Sequence, residues 1–251
     1  MKRRILSLLL IGTLILISNT NTAFAEVKNS ATKGVISKES YEDKLLDNKT
    51  LFDKAEKGEL VNNELTQVDV SYQNNGETKV IRINKKLGKE KYSNGGTMEN
   101  YTVSSLFVTN IPGSKVETGT SGSKTVSVTV GMDYNKATFD GGTSYCYNVT
   151  KIYATPVLLD STFTMTKLEQ FIDGSGQGYT SDGTPTYVNE GKKSYSQSNP
   201  SSNTKYSLST GYTKYILVND GSGLGTNATI TYKRPNLSTI YTYSFIVTIG
   251  A

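Results

Sequence analysis

A mainly β protein, an antiparallel β-sandwich with a short N-terminal helical segment and a β-hairpin, is the fold this sequence predicts. Three observations predict it. Beyond Leu65 apolar residues recur with a period of two, Gly, Asn, Asp and Ser punctuate the runs, and helical spacing is confined to one stretch near the start. Half-wet alternating strands separated by such turns suit an antiparallel sandwich or barrel.

The chain of 251 residues opens with Lys2, Arg3 and Arg4, an apolar run from Ile5 to Ile17, and the small-x-small triplet Ala23-Phe24-Ala25. This pattern predicts a secretory signal peptide over residues 1–25, cleaved after Ala25, and hence a secreted, extracellular protein. The apolar run is shorter than the roughly 20 residues a membrane-crossing helix needs, and no later stretch is comparable, so no transmembrane helix is expected in the mature chain. Three of the 27 cationic side chains lie in this leader, which leaves 24 against 22 acids and a net charge of +2. So small a surplus speaks against a nucleic-acid partner. A single cysteine, Cys146, permits no internal disulfide; together with the short cationic leader, this composition suits a bacterial extracellular protein.

From Ser37 to about Lys57, Tyr41, Leu45, Leu46, Phe52 and Ala55 recur at spacings of three to four, which predicts a helical extension within residues 26–66. Ser40 or Thr50 would cap its start and Gly58 would end it. Val68, Val70 and Tyr72 then alternate with polar residues. Asn75-Gly76 marks a turn, and Lys79 to Ile83 returns as the second arm of a hairpin. The polar stretch from Asn84 to Asn100 reads as a linker, with Lys85, Lys86, Lys89 and Lys91 as solvated charges. The organisation expected is thus a hairpin with linker over 67–99 and a β-sandwich domain over 100–251.

Within that domain, Val126, Val128, Val130 and Met132 share one face, as do Tyr241, Tyr243, Phe245, Val247 and Ile249 near the end. Further strands are expected at 101–109, 145–154, 161–171, 214–218 and 228–232. The Gly-, Ser-, Thr- and Asn-rich stretch from Asp173 to Thr210 reads as large surface loops, where binding residues usually sit.

The absence of histidine removes Ser-His-Asp and Cys-His catalysis and histidine-ligated zinc. Tryptophan is absent too, so any aromatic platform for a sugar must come from the 17 tyrosines. Paired carboxylates remain for a hydrolase acting on polysaccharide, with Asp133, Asp160 and Glu169 as the acids on or near strands. Alternating Ser/Thr segments, 123–129 and 226–231, also fit the strands of a secreted β-pore. Cys146, between Tyr145 and Tyr147, reads as a buried small residue rather than a nucleophile, since no histidine is present to activate it.

Two matching segments, 173–178 and 220–225, both begin Asp-Gly-Ser-Gly. Their glycines permit positive φ and an exposed Asp can hold a sugar hydroxyl, which makes Asp173, Gly174, Ser175, Asp220, Gly221 and Ser222 the candidate ligand-binding loop residues; recurrent tight turns are the competing reading. Neither copy fits a dinucleotide fingerprint or a calcium loop. The function expected is that of a non-enzymatic extracellular binding or interaction protein. Its ligand would be a cell-envelope component, glycan or protein, with no metal and no cofactor expected.

Overall fold

The structure, a computed structural model, describes residues 34–73, 78–93, 95–109, 126–139, 144–218 and 224–249. The leader over 1–25, the Asn75-Gly76 turn and Asp220, Gly221 and Ser222 lie outside the described residues.

The first strand, β1 (Val35–Ser40), falls where a helix is expected, and pairs antiparallel with the far end of β3 (Thr78–Tyr92). Val35 and the four residues from Ser37 to Ser40 gain a ladder on the open edge of β3, which a helix there could not supply. The helix α1 (Asn48–Glu56) is correspondingly shorter. Its cap is Asp47 rather than Ser40 or Thr50. The Asp47 carboxylate accepts the Thr50 N–H at 2.9 Å, satisfying a donor that the first helical turn leaves open. Gly58, at φ +84°, ends the helix as expected. Leu51, Phe52 and Ala55 share one face of α1 and bury against Val68, Ile81 and Ile83.

β2 (Thr66–Gln73) and β3 form the expected hairpin, with Val70 opposite Ile81 and Gln73 opposite Thr78. The linker expected over 84–100 is corrected. β3 runs on to Tyr92, and β4 (Thr97–Thr109) pairs with it along its length. Polar residues can build these strands because their charges meet across the ladder: Lys86 and Lys89 both reach Glu99, and Lys38 reaches Glu90.

β5 (Val126–Phe139), β6 (Ser144–Leu158), β7 (Thr164–Tyr179) and β8 (Pro185–Ser198) follow. Two short strands, β9 (Tyr206–Ser209) and β10 (Tyr215–Leu217), precede the final pair, β11 (Leu224–Lys233) and β12 (Ile240–Ile249). The loops expected over 173–210 are therefore largely strand, because β8 is an edge strand that pairs only with β7 and needs few aliphatics. Among the described residues every strand pair is antiparallel, in one twelve-stranded sheet whose main path runs β1-β3-β4-β5-β6-β10-β7-β11-β12.

The sheet doubles back on itself, so that β11 and β12 lie over β4 and β5. Phe107 and Phe245 meet at 5.0 Å between ring centres, and the Arg82 guanidinium donates to the Thr248 carbonyl. This is a mainly β, antiparallel fold, and its layering is consistent with a sandwich. The main core lies between the layers and includes Val126, Val128, Val130, Met132, Leu168, Ile230 and Val247. A smaller cluster of Ala137, Phe139, Cys146 and Tyr179 lies on the opposite face of β5 and β6. One strand thus feeds two cores by switching the parity of its buried positions.

Gly131 has no room for a side chain, since a Cβ there would stand 2.5 Å from the Tyr153 ring. Gly131→Ala should therefore cost about 1–3 kcal/mol, read as a lower urea midpoint with an unchanged slope; an unchanged midpoint would show that both the ring and the Val103 carbonyl, also 2.5 Å away, yield. Cys146 is fully buried. It should react with a thiol reagent only as fast as the native state opens, and prompt stoichiometric labelling would contradict that burial.

Candidate functional site

The inner face of β3, β4, β5 and β6 extends beyond the layer that covers it. On β5 the parity that carries Val126, Val128, Val130 and Met132 continues as Tyr134, Lys136 and Thr138. Ile249, the last residue of β12, borders the point where cover stops. Beyond it the aliphatic face becomes a polar, aromatic shelf.

Residues opposite one another on antiparallel strands share a face, so the register sets out three rungs across this shelf. Lys86, Tyr101 and Tyr134 form the first; Lys89, Glu99, Lys136 and Tyr147 the second; Thr97, Thr138 and Tyr145 the third. Successive rungs are two residues apart along the strand, so the three cover about 14 Å. A cleft of about 280 Å³ reaches from Arg82 to Tyr147, and another of about 330 Å³ lies over Glu99, Thr138 and Tyr145. Lys136 lines both, which makes them one groove.

The tyrosines brace one another. The rings of Tyr101 and Tyr134 stack at 5.3 Å, and Tyr147 tilts against Tyr134 at 5.9 Å. The Tyr134 hydroxyl donates to Asn84 Oδ1 at 3.3 Å and the Tyr101 hydroxyl to Glu99 Oε2 at 2.7 Å. Burial, before any charge effect, pushes the phenols of Tyr101, Tyr134 and Tyr147 above their ordinary range, so they stay neutral donors.

Glu99 holds the centre, with its carboxylate 2.5 Å from Lys86 Nζ and 3.6 Å from Lys89 Nζ. Burial raises its carboxyl pKa, but hydrogen bonds from Lys86 and Tyr101 and the two lysine charges outweigh that, and the net value falls below the usual one. Lys136 has no carboxylate within ion-pair reach among the described residues; its ammonium rests 3.6 Å from the centre of the Tyr145 ring. Burial lowers its pKa, against the opposing field of Glu99. Arg82 is likewise lowered by burial, partly offset by Tyr134 and by Asp69. Lysine and arginine donors, the Glu99 carboxylate, tyrosine faces and hydroxyls thus line a shallow groove, an arrangement that can grip a polar chain.

None of these residues is among the loop candidates read from the sequence. Asp173, Gly174 and Ser175 stand within β7, not in a turn, with Asp173 opposite Lys192 and a bulge between Gly174 and Ser175. Gly174 is there for packing: a Cβ would come within 2.6 Å of the Tyr212 ring, whose hydroxyl donates to the Gly191 carbonyl at 2.8 Å. The first residues of the matching segment at 220–225 lie outside the described ones; its last two, Leu224 and Gly225, open β11, which pairs with β7 from Thr226 opposite Ile172. The strand-borne acids also stand apart. Glu169 pairs with Lys167 on β7, Asp160 accepts the Thr162 N–H in the turn before it, and Asp133 lies on β5, which does not pair with β7. Among the described residues no three His, Cys, Asp or Glu side chains gather to hold a metal ion.

No family model matches the chain, and neither does any curated protein or solved structure compared with it. Among the described residues no helix is long and apolar enough to cross a membrane.

Glu99 gives the shelf a pH signature. Because its pKa is lower in the folded than in the unfolded chain, its ionisation favours the folded state above about pH 4.3, and that contribution is lost as pH falls through the depressed value. Glu99→Gln should therefore be less stable than the parent at pH 7, with the gap narrowing in urea titrations as pH falls below the usual glutamate range. A gap of equal size at both pH values would mean that the loss comes from packing rather than charge.

Proposed function

We propose that this is an exported, non-enzymatic binding protein that holds a glycan of a cell envelope along the shelf formed by β3, β4, β5 and β6. The observation that carries this reading is the continuation of a core face, past its covering layer, as tyrosines and cations instead of aliphatics. Tyrosine offers an apolar ring and a polar tip, which matches the alternation of C–H faces and hydroxyls on a sugar. A groove of about 14 Å suits two or three linked sugar rings better than a single compact metabolite. Lys136 and Arg82 add donors able to meet an acidic substituent. Placement outside the cell rests on the leader at 1–25.

A membrane-inserting role is the rival with a specific observation behind it: β4 and β5, at 13 and 14 residues, exceed the roughly 9–11 residues that a tilted strand needs to cross a bilayer. Both strands are nevertheless paired on both edges in the sheet.

The two separate in one experiment. The purified protein is sedimented with bacterial cell-wall polysaccharide and, in parallel, with liposomes, and is screened against neutral and acidic oligosaccharides. Binding to polysaccharide should weaken about tenfold or more in Tyr147→Ala and Lys136→Ala, equivalent to about 1.4 kcal/mol, and stay unchanged in Lys192→Ala on β8. Equal binding by all three variants would remove the shelf from the reading. Pelleting with liposomes alone, followed by dye release, would replace it with the pore.

A further inference from the structure

β12 lies at one end of the sheet. It pairs with β11 without a register break from Leu224 opposite Ile249 to Lys233 opposite Ile240, and among the described residues no other strand pairs with it. Of the other strands that pair on one side only, β9 is four residues long and the rest carry features that discourage pairing. β8 has Pro185, Glu190, Lys192 and Lys193 and faces a bulge; β1 has Lys38, Glu39 and an irregularity at its start; β2 has Asp69. β12, Ile-Tyr-Thr-Tyr-Ser-Phe-Ile-Val-Thr-Ile, has no charge, proline, glycine or bulge. Its Ile240 and Ile246 are 65% and 59% exposed.

The direction of its free backbone groups follows from two contacts. The Thr248 carbonyl accepts from Arg82, away from β11, and the Thr231 carbonyl of β11 accepts from Thr166 of β7, away from β12. Backbone groups alternate in direction along a strand, so those of Ile240, Thr242, Ser244 and Ile246 also point outward from the sheet.

We infer that β12 pairs antiparallel with β12 of a second copy, about a two-fold axis at Tyr243. This register sets Thr242 opposite Ser244 of the second copy and Ile240 opposite its Ile246. Outward backbone groups then meet outward ones in four residue pairs, which exchange about eight hydrogen bonds. The exposed isoleucines cover each other on the outer face, Tyr241 meets Phe245 on the inner one, and the Thr248 carbonyl held by Arg82 stays clear of the contact. A neutral strand meets its twin without like-charge repulsion, which the edges of β1 and β8 do not allow. The two-fold arrangement consumes both edges, so the assembly closes at two.

The contact is tested by sedimentation velocity of the purified protein over a range of concentrations, with two variants. Thr242→Pro deletes an outward N–H and leaves the ladder to β11 intact, a substitution that edge strands tolerate. It should give a monomer with an unchanged circular dichroism spectrum; should it fail to fold, Ile246→Lys, at an exposed position, serves instead. Tyr243→Cys brings two thiols across the axis at a non-hydrogen-bonded position, where Cα atoms lie about 4.5 Å apart, within disulfide range. It should cross-link into a covalent dimer on mild oxidation, while the parent, whose only cysteine is buried, should not. A parent protein that is monomeric throughout overturns the proposal. So does a dimer that survives both surface variants or fails to cross-link through position 243.

Discussion

Long strands that bury first one face and then the other are the constraint on which this molecule is organised. With a side-chain period of two, a strand can serve two cores only by moving its buried positions from one parity to the other. β5 does so between Met132 and Ala137: its first half packs under β11 and β12, its second against Tyr179 and Tyr215 on the far side. β3 solves the same problem crosswise, giving Ile81 and Ile83 to α1 and Val80 to the main core. Where the parity changes, the first face runs out of cover: the buried Tyr134 closes the core, and the half-buried Lys136 and Thr138 follow it in place of valine.

The shelf is held in shape by neutralisation across strands rather than by apolar packing. Glu99 gathers Lys86, Lys89 and the Tyr101 hydroxyl, and stacked tyrosines fill the space between. Isolated exposed ion pairs contribute little to stability. Here the carboxylate is mostly covered and shared by three donors, so its main effect is to fix the spacing of the groups around the groove.

The β alternation, the hairpin and the final strand pair were legible in the sequence because each has one wet and one apolar face. The stretches 84–100 and 173–198 were not. Their lysines, glutamates, serines and glycines resemble turn chemistry, and what makes them strands lies on other strands: Glu99 beneath Lys86, or the Tyr212 ring over Gly174. Glycine there signals close approach rather than a reversal of the chain. The candidate site is hard to read for a related reason, since it lies on strand faces and has no glycine-rich loop signature. A signal was present, however: following the parity of Val126 to Met132 two steps further arrives at Tyr134 and Lys136, where a core face that turns aromatic and cationic marks the limit of its cover.

The contact between Arg82 and Thr248 joins residues 166 positions apart, and β12 supplies Phe245, Val247 and Ile249 to the main core. Such non-local topology makes folding slow, because distant segments must find one another before most of the stabilising burial is gained. The core cannot close until the last strand is available. Under the export proposed for this chain, that delay would be an advantage: premature collapse is disfavoured until the C-terminal residues have followed the rest across.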